Sequence, residues 1–112
     1  MPQSIDFGAI FTQLKNDILG LAKTTLKKYT DEALSDGKKL LEDMKNDLER
    51  WTHNLVDGNL TKKEFEYLVN TDRDSIKMAA LEHAGLAAIR VDQFKNSVLN
   101  LIVDTVFHMI PV

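Results

Sequence analysis

Histidine offers this chain its most versatile chemistry, and two of the three histidines stand four residues after a carboxylate: Glu49 with His53, and Asp104 with His108. On a helix that spacing places both side chains on one face, where an imidazole could ligate a metal or exchange a proton. A metal centre needs more than one such pair. A di-iron site built between helices uses Glu-x-x-His, and the residues three before His53, His83 and His108 are Arg50, Ala80 and Thr105. Cysteine is absent, which removes a disulfide framework, a thiolate zinc site and a cysteine nucleophile. Neither a Gly-x-Ser-x-Gly elbow nor a phosphate-binding loop occurs. The expectation is therefore no enzyme, no metal and no cofactor, with both pairs acting as helix-surface contacts.

The run Asp57-Gly58-Asn59-Leu60-Thr61-Lys62-Lys63-Glu64-Phe65 resembles the second half of a calcium-binding EF-hand loop. In that register the first two ligand positions fall on His53 and Leu55, and Leu55 has no oxygen to offer a hard cation. The same residues make a helix-to-helix turn. Gly58 can close one helix in the left-handed conformation, and Thr61 with Glu64 forms the Thr-x-x-Glu box that opens the next.

The elements flanking this turn follow from one repeated spacing. Apolar or small residues recur in steps of three and four through Phe7, Phe11, Leu14, Ile18, Leu21, Thr25, Tyr29, Ala33, Gly37, Leu40, Met44, Leu48, Trp51 and Leu55. After the turn the spacing resumes through Phe65, Leu68, Asp72, Ile76, Ala79 or Ala80, His83, Ala87, Val91, Phe94, Val98, Leu101, Thr105 and Met109. The average, roughly 3.67 residues per turn, matches a nearly straight helix. The only prolines are Pro2 and Pro111, so nothing between them must break a helix. Ser4 or Asp6 can cap the start.

These features predict an all-α fold: an antiparallel helical hairpin of two long helices, about 5–56 and 61–110, in a single helical domain with its turn at 57–60. Mirroring the arms about Gly58 pairs Trp51 with Phe65, Leu48 with Leu68, Leu40 with Ile76, Ile18 with Val98 and Leu14 with Ile102. Three mirrored pairs match poorly: Met44 with Asp72, Ala33 with His83, and Leu26 with Arg90. Residues that favour caps also gather at 29–37 and 70–75, so the alternative is a monomer of four shorter helices. Trp51 beside the turn resembles, in architecture, small secreted helical hairpins with a Trp-x-Gly turn, although Trp51-Thr52-His53 lacks the glycine.

The hairpin leaves apolar surface over. From Val98 to Ile110 such residues surround most of the helix, and the N-terminal segment beside it is equally broad. Exposing five or six large apolar side chains would forgo on the order of 10 kcal/mol. A homodimer that completes a four-helix bundle is therefore expected, with Leu99, Val103, Val106, Phe107, Ile110, Ile10 and Leu19 at its interface. Small residues at Ala80, Ala84 and Ala88 add a face for close helix approach. His83 lies on the mirrored seam, where burial would make association depend on pH.

The formal charge of −3, from 14 basic and 17 acidic residues mixed along both arms, lacks the basic stripe of a nucleic-acid binder. No signal-peptide pattern opens the chain and no apolar run approaches a membrane span, so a cytoplasmic location is expected. The functional expectation is a non-enzymatic interaction or scaffold protein, a homo-oligomeric hairpin that meets a protein partner. The alternative is an amphipathic helical protein coating a lipid or polymer-granule surface.

Overall fold

A computed structural model describes residues 5–110, and they are helical nearly throughout. Five helices follow in order: α1 (Phe7–Thr25), α2 (Thr30–Val56), α3 (Lys62–Thr71), α4 (Ala79–His83) and α5 (Ala88–Met109). One-turn 3₁₀ segments at Lys27–Tyr29 and Arg73–Ser75 lie between them. Ser4, Pro2 and Pro111 fall outside the described residues; Asp6 caps α1, its Oδ1 accepting from the Ala9 N–H at 3.1 Å.

The all-α expectation holds, but the two continuous arms do not. The first arm folds back at Leu26–Tyr29, so α1 lies along α2. Lys45 sits over the Phe11 ring, Lys15 pairs with Glu42, and Ile18 abuts Gly37; one number rises as the other falls, so the helices are antiparallel. The local cause is visible in the threonines. Thr24 and Thr25 hydroxyls donate back to the carbonyls of Gly20 and Leu21, and Thr30 donates to those of Leu26 and Lys27, which weakens helix continuity here. The long-range gain is larger, since the reversal buries Phe7, Ile10, Phe11, Leu14, Ile18 and Ala22 within the chain.

The turn after α2 forms as expected. Gly58 has φ 81°, its N–H donates to Leu55 O, and the Asn59 N–H reaches Asn54 O, the paired bonds that close a helix on a left-handed residue. From there α3 and α4 run back along α2, and the chain turns again at Gly85 (φ 89°) with the same bond pattern, Gly85 to Glu82 and Leu86 to Leu81. This second glycine turn also divides the small-residue face: Ala84 and Ala88 are exposed and lie outside α4 on either side of the bend. α5 then packs against α1 and α3.

The result is an up-down-up-down bundle in which α1, α2, the broken pair α3–α4, and α5 occupy the four corners, within 50 × 24 × 18 Å. One apolar cluster runs its length, from Phe7 and Leu55 at one end to Leu26, Leu86 and Val91 at the other. The four-helix bundle that the leftover apolar surface called for is thus assembled inside a single chain.

Two buried charged groups fasten the broken corner. Asp36, 5% exposed on α2, accepts from the backbone N–H groups of Ala80 (3.0 Å) and Leu81 (2.8 Å), the opening residues of α4. Lys95 on α5 donates to the carbonyl of Ile76 at 3.2 Å. Each satisfies backbone groups that the interruption of the third corner leaves without helical partners.

Candidate functional site

The expected interface residues distribute differently from the expectation. Ile10, Leu99, Val103, Val106 and Ile110 are buried in the chain's own core, while Leu19 and Phe107 are half-buried. Phe107 is covered by α3: the Phe65 ring lies 5.6 Å away, and Lys62 Nζ stands 5.3 Å from its centroid. Pairing of α1 and α3 with α5 wraps the helix that one partner could not cover. His83 is exposed at the end of α4 rather than buried on a seam, so the basis for a pH-dependent seam is gone. His53 and His108 are exposed as well.

The oxygen-rich turn is occupied by its own backbone. Thr61 Oγ1 accepts from the Glu64 N–H at 3.1 Å, and Glu64 Oε1 accepts from the Thr61 N–H at 2.9 Å. The second of these bonds, from the Thr61 backbone, is the main reason the Glu64 carboxyl titrates below the ordinary glutamate value. Among the described residues no group of three or more His, Asp or Glu side chains is arranged to hold a metal ion.

Two of the surface concavities bear on these residues and on α3. The larger, about 660 Å³, lies between α1 and α5 and is lined by Gln13, Asp17, Asp104, Thr105, His108 and Met109. Three of its polar groups serve each other: Asp17 accepts from Gln13 Nε2 at 2.7 Å and from Thr105 Oγ1 at 2.8 Å, while Asp104 and His108 are exposed. This network joins the two helices across a buried threonine and leaves Asp17 with both oxygens engaged.

The second concavity is the apolar one. Leu60, Lys63, Glu64, Tyr67 and Leu68 border a groove of about 380 Å³ on the outer side of α3. The capping box fixes where α3 begins, and Phe65 and Val69 anchor its inner side in the core. Tyr67, two residues from Phe65, therefore points the other way and is 71% exposed, the most exposed large apolar side chain among the described residues. Leu60 and Leu68 flank it half-buried. Tyr67 was not singled out from sequence; the available signal was an aromatic off the apolar stripe, on an otherwise charged face.

The chain matches no family model, no curated protein and no solved structure. Among the described residues, no helix is long and apolar enough to cross a membrane.

Proposed function

We propose that this protein is a non-enzymatic interaction protein: a helical bundle that presents the outer face of α3 to a protein partner. The exposure of Tyr67 beside the groove carries this reading. A tyrosine supplies a large, rigid apolar body with a polar tip, the combination enriched where proteins meet. Lys63, Glu64 and Glu66 ring it with both signs of charge, which suits a mixed protein surface better than a polyanion or an anionic lipid face. A coating role would require opening a core that already encloses the apolar faces of α1, α2 and α5, and so is less favoured.

A photo-crosslinking residue placed at Tyr67, compared with one at the exposed Asn16 of α1, tests the proposal in the native host. A discrete adduct is expected from position 67 and from position 63 of the same groove but not from position 16, and the adduct from 63 is lost in a Tyr67→Glu variant with the thermal melt unchanged. Equal labelling from positions 67 and 16, or none from Tyr67, would refute it.

A further inference from the structure

The reversal between α1 and α2 lacks the residues that usually enforce one. From Leu21 to Asp36 there is neither glycine nor proline, and the apolar spacing passes through Leu21, Thr25, Tyr29, Ala33 and Gly37 without a slip. Leu26 before the 3₁₀ turn (φ −132°, ψ 61°) and Tyr29 at its end (φ −123°, ψ 27°) lie outside the α-helical region, whereas Thr30 is already helical at φ −55°, ψ −46°. Resetting Leu26 and Tyr29 and relaxing the Lys27–Lys28 turn between them would make residues 7–56 one helix. Leu26, Lys27 and Lys28 favour that state, and Thr24, Thr25 and Thr30 oppose it.

Apart from buried Leu26 and half-buried Tyr29, the reversal is exposed to solvent at Lys27 and Lys28. A cavity of about 330 Å³ opens among Thr25, Leu26, Tyr29 and Arg90, and the Arg90 contact to Thr25 O is long, at 3.5 Å. The face of α1 is the opposite case. Ile18 fits the notch at Gly37, Lys15 meets Glu42 at 3.3 Å, and Thr105 bonds to Asp17, so the groove between α2 and α5 is shaped and charged for this helix. An α1 released by straightening the hinge finds the same groove, with every contact repeated, only on a second copy of this chain.

We propose that α1 (Phe7–Thr25) is an exchangeable element. Two copies straighten at Leu26–Tyr29 and insert α1 into each other's α2–α5 groove, forming a symmetric dimer whose α1 and α2 are continuous. The contacts of the α1 face are conserved in kind, so the exchange trades the local turn and the hinge contacts of Leu26 for helix and is governed by concentration. It stands independently of the α3 face.

The absence of cysteine allows direct measurement. With spin labels at T12C and N46C, both exposed, the monomer holds the two sites close, because Lys45 lies on Phe11. In the exchanged dimer they sit on one helix about 50 Å apart. Doubly labelled chain, diluted into unlabelled chain and refolded from denaturant at high concentration, should yield a dimer fraction showing the long intrachain separation. Lys27→Pro, at the first position of the 3₁₀ turn, suits the reversal and opposes the straight helix. It should lower the dimer yield by at least about a hundredfold. A wild-type chain that stays monomeric after such refolding, or a dimer that keeps the short separation, would overturn the proposal.

Discussion

A Cβ added to Gly37 would stand 2.6 Å from Cγ2 of Ile18, so α1 and α2 meet at this pair without room for a methyl group. The contact explains why a residue poor in helix propensity sits inside the longest helix. Ile18 is fully buried and β-branched, and its methyl cannot swing aside as the end of a long side chain would. Gly37→Ala should therefore destabilise the fold by about 1–3 kcal/mol despite alanine's better propensity. Gly20 has nothing within 4 Å of its added Cβ and is exposed on α1, so Gly20→Ala should stabilise by about 0.5–1 kcal/mol. Urea unfolding of the two variants should show opposite shifts in midpoint; equal stabilisation would mean that α1 does not lie on Gly37 in solution.

Asp36 should prove the most sensitive polar residue. Its carboxylate takes the N–H groups of Ala80 and Leu81, the second and third residues of α4, and truncation leaves them buried or half-buried without partners. Asp36→Ala is expected to cost about 3 kcal/mol, and Asp36→Asn, which keeps one acceptor, about half of that. Hydrogen exchange should locate the effect, with the Ala80 and Leu81 amides losing protection before those of α1. Uniform loss across the chain would instead assign Asp36 to the global core.

The capping box sets a pH dependence with a definite sign. Hydrogen bonds from Thr61 hold the Glu64 carboxyl below the ordinary glutamate value, so the folded state favours its ionised form. That stabilisation is present above the unfolded-state pKa and is lost as pH falls through the lowered folded value. The advantage of the wild type over Glu64→Ala, measured by urea unfolding near neutrality, should shrink as the pH is taken below the ordinary glutamate range. Thr61→Ala, which removes the hydroxyl acceptor for the Glu64 N–H, should cost about 1 kcal/mol. An advantage over Glu64→Ala that grows on acidification would show that the box does not form.

Helix class, the Gly58 turn and the antiparallel neighbourhood of α1 with α5 could be read from spacing and caps, because these depend on local geometry and a single apolar phase. The folding of each arm upon itself could not, since an uninterrupted phase is compatible with both a straight helix and a reversal between helical turns. Yet the three mirrored pairs that matched poorly were informative. Leu26, Asp72 and His83 each stand at the end of α1, α3 or α4 in the structure, so the misfits marked the breaks. The fasteners were less legible: Asp36 and Lys95 look like surface charges until the corner they hold is known to be interrupted. Tyr67 became conspicuous only once Phe65 had fixed the inner side of α3.

Among the described residues, Thr52 carries the one buried side-chain polar atom without a hydrogen-bond partner. It is fully buried in α2, and its Oγ1 has no hydrogen-bond partner. A threonine within a helix commonly donates to the carbonyl one turn back, as Thr25 and Thr71 do here, and Thr52 does not. An unpaired hydroxyl in an apolar core costs about 1–3 kcal/mol relative to a partnered one. Valine keeps the branched shape and replaces that hydroxyl with a methyl, so Thr52→Val should raise stability by about 1 kcal/mol, at an unchanged denaturant slope. Thr52→Ser retains the hydroxyl, loses the methyl and should lower stability by about 1 kcal/mol. Destabilisation by valine would demonstrate that the hydroxyl is paired in solution, with a buried water as the chemically suitable partner.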